Sequence, residues 1–130
     1  MQKTLLKAAQ AVLDKAYVKY SNFPVAAALL CDDGTIITGV NIENASYGLT
    51  NCAERTALFT AYTQGYRKDN LKEILITTSK DHLVSPCGAC RQVLSELMPK
   101  EALVHMHYGN TITTVTNEEL LPLAFSEEDL

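Results

Sequence analysis

Four side chains carry the strongest chemical signal in this 130-residue chain: Cys52, Glu54, Cys87 and Cys90. Cys87 and Cys90 lie three apart in Ser85-Pro86-Cys87-Gly88-Ala89-Cys90-Arg91-Gln92. In the first turn of a helix that spacing turns both to one side, where they can hold a single metal ion. Cys52, in Asn51-Cys52-Ala53-Glu54-Arg55, opens another predicted helix and can supply a third thiolate. Three thiolates leave one tetrahedral position of a zinc ion open to water, as a catalytic site requires, whereas a structural zinc wants a fourth ligand. Glu54 need not coordinate the metal but can reach that water, take its proton and deliver it to a substrate. Taken alone, an acid at a helix start only complements the helix dipole. Between Cys52 and the Pro-Cys-x-x-Cys partner, it reads as a proton shuttle.

Three thiolates on a divalent ion leave a net charge of about −1, which weakens zinc as a Lewis acid. Two features offset this. Both ligand helices point their positive N-terminal ends at the metal, and Arg55 and Gln92 are candidates to donate hydrogen bonds to the sulfurs. The remaining cysteine, Cys31, lies in an apolar stretch and reads as core filler rather than a fourth ligand. An even cysteine count is also compatible with two disulfides. The first residues, Met1-Gln2-Lys3-Thr4, lead into a helical pattern rather than an apolar export segment, so a reducing cytoplasmic setting and metal binding are expected. His82, His105 and His107 read as surface or packing residues.

The elements that must position these groups follow from periodicity. A first helix is predicted over Thr4–Ala16, with Leu5, Leu6, Ala9, Val12, Leu13 and Ala16 on one face. Apolar Val25–Cys31 reads as a buried strand, Asp32-Asp33-Gly34 as a turn and Thr35–Val40 as the hairpin partner. Asn41–Asn51 reads as a loop. A helix over Cys52–Gln64 follows, with Asn51 as its expected cap and Gly65 as its stop. Glu73–Ser79 reads as a central strand and Lys80–Pro86 as a loop. Cys87–Met98 reads as a helix ended by Pro99. Leu103–Tyr108 and Thr111–Thr116 form a hairpin about Gly109-Asn110, and a short helix over Asn117–Leu121 closes the order. The expected fold is a single α/β domain, residues 1–130: three layers, α-β-α, around a mixed five-stranded sheet whose last two strands are an antiparallel hairpin.

Bulk properties narrow the partners. The net charge is −4, and the densest basic run is Arg67-Lys68, followed at once by Asp69. Binding to a polynucleotide backbone is driven by clustered cations, so this balance argues against a nucleic acid polymer. No stretch is long and apolar enough to suggest a membrane span.

Cys52-Ala53-Glu54 with Pro86-Cys87-Gly88-Ala89-Cys90 resembles the signature of the zinc deaminases, His-x-Glu with Pro-Cys-x-x-Cys. Cysteine in place of the histidine resembles the small cytidine deaminases specifically, and similarity runs through Tyr20-Ser21-Asn22-Phe23, Asn41-Ile42-Glu43-Asn44-Ala45 and Glu119–Phe125. One departure is Ala26, where the family usually has glycine. The resemblance implies one Zn²⁺ per subunit and hydrolysis of cytidine and 2′-deoxycytidine at C4 to uridine or 2′-deoxyuridine with loss of ammonia. It also implies that Phe23 stacks near the pyrimidine, that Asn41 and Glu43 bind the ribose 3′-hydroxyl, and that the Ala53 N–H holds the base carbonyl. Tyr47 and Phe125 would complete a neighbouring subunit's site in a homotetramer. The antiparallel Gly109-Asn110 hairpin fits the free-nucleoside branch by the same resemblance. Competing readings are the same chemistry on a nucleoside antibiotic or an RNA cytosine, or a non-catalytic zinc-stabilised module.

Overall fold

The computed structural model describes residues 1–130. The element order is α1 (Gln2–Val12), β1 (Val25–Cys31), β2 (Ile36–Val40), α2 (Ala53–Thr63), β3 (Leu71–Thr78), α3 (Gly88–Leu97), β4 (Leu103–Tyr108), β5 (Thr111–Thr116) and α4 (Asn117–Leu120). Five strands form one sheet in the order β2-β1-β3-β4-β5. The β3–β4 pair is parallel, bridged by α3, and every other neighbour is antiparallel. The mixed sheet, its flanking helices and the closing hairpin are those expected from the sequence.

The central position of β1 explains its continuous apolar run. Ala27, Leu29 and Cys31 face a core shared with α2 and α3, whereas Ala26, Ala28 and Leu30 face a second cluster beneath α1. A strand with both faces covered has no polar face to alternate with. Ala26, the departure from the family pattern, is accommodated there, fully buried beside Leu5, Ala9 and Leu75. Cys31 is buried in the larger cluster, and burial pushes its thiol up to about 11. It is core, as the sequence suggested. No helix is long and apolar enough to cross a membrane.

The first helix departs from expectation at its end. It yields to a 3₁₀ turn at Leu13–Lys15, and Ala16 is extended. Tyr17 then pairs with the loop after β2, its N–H donating to the Asn41 carbonyl at 2.9 Å. A long-range pairing outside the window overrides the helical preference of Ala16. In contrast α2 ends where expected, with Gly65 at φ 99°, a conformation glycine adopts freely.

β2 meets α2 with unusually little clearance. A Cβ built on Gly39 would lie 2.5 Å from the Ala57 backbone nitrogen and 2.7 Å from the Ala53 carbonyl oxygen. Only a residue without a side chain lets the first turns of α2 sit this close to the sheet. That contact sets the depth of the helix start where Cys52 and Glu54 are found.

Candidate active site

Two helix starts converge on one point. Cys52 is the N-cap of α2 and Cys87 the N-cap of α3, both in extended backbone conformation, and Cys90 lies in the first turn of α3. The Cys52 and Cys87 sulfurs are 3.8 Å apart, and all three sulfurs lie within 4.8 Å of one another. Zinc–sulfur bonds of about 2.3 Å at tetrahedral angles put two sulfurs about 3.8 Å apart, so the cluster has the size a zinc ion needs.

Its electrostatics point the same way. The Cys52 thiol is drawn down to about 5, chiefly by a hydrogen bond from the Cys90 thiol and then by Arg55. Cys90 moves upward for the reciprocal reason, together with burial. Without a cation, one sulfur takes the charge at the expense of its neighbour; a divalent ion lets all three be thiolates. Arg55 Nη2 donates to the Cys52 sulfur at 3.3 Å, while its Nε is buried with no hydrogen-bond partner. A guanidinium so placed favours anionic sulfur. No disulfide joins any of the four cysteines, so all three sulfurs of the cluster are free to bind a metal.

Glu54 is 5% exposed, and burial pushes its carboxyl up to about 7. A group poised near neutrality can both accept and return a proton, which is what a shuttle must do. Ala53, fully buried, is the first helical residue of α2, and no side chain caps that helix. Its N–H is therefore one of the helix-start donors without an intrahelical acceptor.

Two expectations need correction. Asn51 does not cap α2, because the helix begins one residue later and Cys52 takes the cap position; the Asn51 side chain instead donates to Thr56 Oγ1 at 3.0 Å. Gln92 does not serve the sulfurs either: its Nε2 donates to the Phe125 carbonyl at 3.0 Å. Two residues on from Cys90 is a rotation of about 200° around a helix, which turns Gln92 to the other side.

A second group of side chains gathers at the start of β1. Asn41 Nδ2 donates to the Phe23 carbonyl at 2.9 Å, and its Oδ1 accepts from the Val25 N–H at 3.0 Å, clasping the chain around Pro24. Glu43 Oε1 accepts from the backbone N–H groups of Tyr20 at 3.0 Å and Ser21 at 3.1 Å, and Oε2 accepts from the Ser21 hydroxyl. Lys80 Nζ stands 5.2 Å from the centroid of the Phe23 ring. This group is indexed to the sulfur cluster by backbone. Ile42, between Asn41 and Glu43, exchanges two 2.9 Å hydrogen bonds with Asn51, the residue before Cys52.

Tyr47 and Phe125, by contrast, are largely exposed, on a 3₁₀ turn and on the C-terminal segment. Sequence reasoning also passed over Arg91. Its guanidinium donates to the Pro86 carbonyl at 2.7 Å, the Leu120 carbonyl at 2.9 Å and Ser85 Oγ at 2.8 Å, fixing the loop that delivers Cys87. The available signal was its place one helical turn after Cys87, where a long donor can reach back over the helix start.

Comparisons with known proteins agree on one family. Residues 1–106 match the family model for the cytidine and deoxycytidylate deaminase zinc-binding region. A cytidine deaminase of Halalkalibacterium halodurans is 50% identical over 130 residues, covering 99% of this chain and 97% of that protein. A probable cytidine deaminase of Dictyostelium discoideum is 44% identical across 96% of this chain and 84% of its own length. The crystal structure of cytidine deaminase from Burkholderia pseudomallei superposes with a TM-score of 0.93 at 44% identity, covering 96% of this chain and 99% of that one. With its three converging thiols and buried glutamate on that shared fold, the chain belongs to the cytidine and deoxycytidylate deaminase family.

Proposed function

We propose that this chain is a zinc-dependent deaminase that converts cytidine and 2′-deoxycytidine with water into uridine or 2′-deoxyuridine and ammonia. The observation that carries the reading is the buried Glu54 carboxyl beside three sulfurs of zinc-binding size. Zinc, when held by Cys52, Cys87 and Cys90, supplies the Lewis acidity that makes water nucleophilic near neutral pH. Glu54 takes the proton released as water adds to C4 and gives it to N3; it then takes the proton of the new C4 hydroxyl and passes it to the amine, which leaves as ammonia as the C4 carbonyl forms. Arg55 draws electron density from the Cys52 sulfur, offsetting the donation of three thiolates.

The rest of the pocket holds the nucleoside still. The Ala53 N–H binds the base carbonyl, Phe23 flanks the pyrimidine, and Asn41 and Glu43 take the ribose 3′-hydroxyl. That hydroxyl is esterified inside a polymer, so its recognition selects free nucleosides; the net charge of −4 supports the same choice. The exposed Tyr47 and Phe125 support a homotetramer in which each reaches a neighbour's site, since aromatic side chains are favoured where subunits meet. A reducing cytoplasm suits a site built from thiolates.

The test follows absorbance as cytidine becomes uridine, with zinc content measured in parallel. Glu54→Ala should retain zinc and lose turnover by at least about 10³-fold. Near-normal turnover in that variant would remove Glu54 from the mechanism. Faster conversion of a short cytosine oligonucleotide than of cytidine would overturn the substrate.

A further inference from the structure

Ser21 stands where the two halves of the nucleoside pocket meet. Its hydroxyl donates to Glu43 Oε2 and accepts from the Phe23 N–H at 3.0 Å. The acceptance is a tight side-chain turn, made possible because Asn22 adopts φ 54° and swings Phe23 back over Ser21. Asparagine tolerates this left-handed conformation better than most residues, and its N–H is held by the Val18 carbonyl at 2.9 Å. One hydroxyl thus bridges the carboxylate on the ribose side and the backbone of the ring on the base side.

Counting lone pairs shows the consequence. An ionised carboxylate offers about four acceptor positions. Three are used here: two on Oε1 by the Tyr20 and Ser21 N–H groups, and one on Oε2 by the Ser21 hydroxyl. The same donors, Ser21 Oγ foremost, hold the Glu43 carboxyl below its usual range, so it stays ionised. A carboxylate otherwise free to swing about its last bond is left with one open, oriented acceptor.

We infer that Ser21 is a positioning residue for nucleoside recognition: it aims the single free lone pair of Glu43 at the ribose 3′-hydroxyl and ties that aim to the position of Phe23. This rests on Glu43 meeting the ribose, as proposed above. Without the Ser21 hydroxyl, Oε2 regains a second acceptor position and the carboxylate is held through Oε1 alone, so its free oxygen is less sharply aimed. The 3′-hydroxyl then contributes less to holding substrate, while Glu54 and the sulfurs are untouched.

The experiment compares cytidine with 3′-deoxycytidine on zinc-loaded wild type, Ser21→Ala, Ser21→Thr and Glu43→Gln. The wild type should prefer cytidine, and Ser21→Ala should narrow that preference in kcat/KM by about tenfold, the scale of one hydrogen bond to a charged group. The loss should fall on KM for cytidine, with kcat little changed. Threonine, which keeps the hydroxyl, should restore the preference, and Glu43→Gln should narrow it. A Ser21→Ala variant that weakens both substrates equally, or that keeps the full preference while Glu43→Gln loses it, overturns the role of Ser21 alone. Equal handling of the two nucleosides by the wild type overturns the ribose reading of Glu43 and the inference with it.

Discussion

Gly39→Ala is the substitution that most directly tests how the sheet positions the chemistry. The added Cβ would meet the Ala57 nitrogen at 2.5 Å, the Ala53 oxygen at 2.7 Å and the Ala57 Cα at 3.0 Å. All three are backbone atoms, so no side chain can rotate away. Restoring an ordinary contact of about 3.4 Å requires α2 and β2 to separate by close to 0.9 Å. Overpacking costs about 1–3 kcal/mol, and a clash with rigid backbone belongs at the upper end. For a 130-residue chain, about 3 kcal/mol lowers the thermal midpoint by roughly 10 °C. Activity should fall as well, because Cys52 caps α2 and Glu54 lies in its first turn. A 1 Å misplacement of reacting groups costs about 10²-fold, and sharing the shift with the edge strand β2 leaves about tenfold in kcat. Zinc-loaded wild type and variant should be compared by thermal unfolding at equal concentration and by steady-state deamination. A variant with an unchanged midpoint and kcat within twofold would refute the argument that this contact sets the helix depth.

Removing the hydrogen bond from Arg55 to Cys52 leaves more electron density on that sulfur, so Arg55→Gln should keep stoichiometric zinc yet lose about 10–100-fold in kcat; loss of zinc instead would make Arg55 a metal-retention group. Chelation of the folded protein should make two thiols, Cys52 and Cys87, react quickly with a thiol reagent, because Cys31 and Cys90 are both buried. Burial pushes the Cys31 thiol up, and the hydrogen bond with Cys52 together with burial does the same for Cys90; four fast thiols would contradict the place of Cys31 in the core. Arg91→Met cuts three hydrogen bonds around the Cys87 loop and should hasten zinc transfer to a chromophoric chelator by about tenfold. Unchanged release would show that the loop holds its shape without the guanidinium.

These tests divide along the line between what was and was not legible in the chain. β1, β4 and β5 have the bounds read from sequence, since an uninterrupted apolar run and a Gly-Asn turn are local signals. The metal ligands were legible for a similar reason, because cysteine spacing at a helix start nearly determines where the sulfurs point. Gln92 misled because proximity in sequence was taken for proximity in space, and a helix turns its second neighbour away. Gly39 and Ser21 were not legible as such. The importance of Gly39 depends on which helix crosses it, and that of Ser21 on a carboxylate 22 residues further along the chain.

The fold solves a positioning problem by making backbone, rather than flexible side chains, carry the long-range alignment. The sulfur cluster hangs on two helix starts, and the Asn41 and Glu43 side chains on the loop after β2. The double hydrogen bond between Ile42 and Asn51 joins them one residue before Cys52, so a shift of either side drags the other. Gly39, just before that loop, presses on Ala53 and Ala57 just after the metal ligand. The sheet, the loop bearing Asn41 and Glu43 and the helix that begins after Cys52 are therefore fixed to one another within a few residues of β2. What backbone cannot do is make three close sulfurs tolerate one another. The cluster draws charge onto Cys52 and pushes Cys90 the other way through the hydrogen bond between them, and a divalent cation would let all three sulfurs carry charge. Metal binding should thus stabilise the ends of two helices at once. It also explains the local division of cations and anions: Arg55 at the sulfurs and a carboxylate buried beside them. On the proposed mechanism Arg55 offsets the charge that three thiolates donate, while Glu54 carries one proton to N3 and the next from the C4 hydroxyl to the leaving amine.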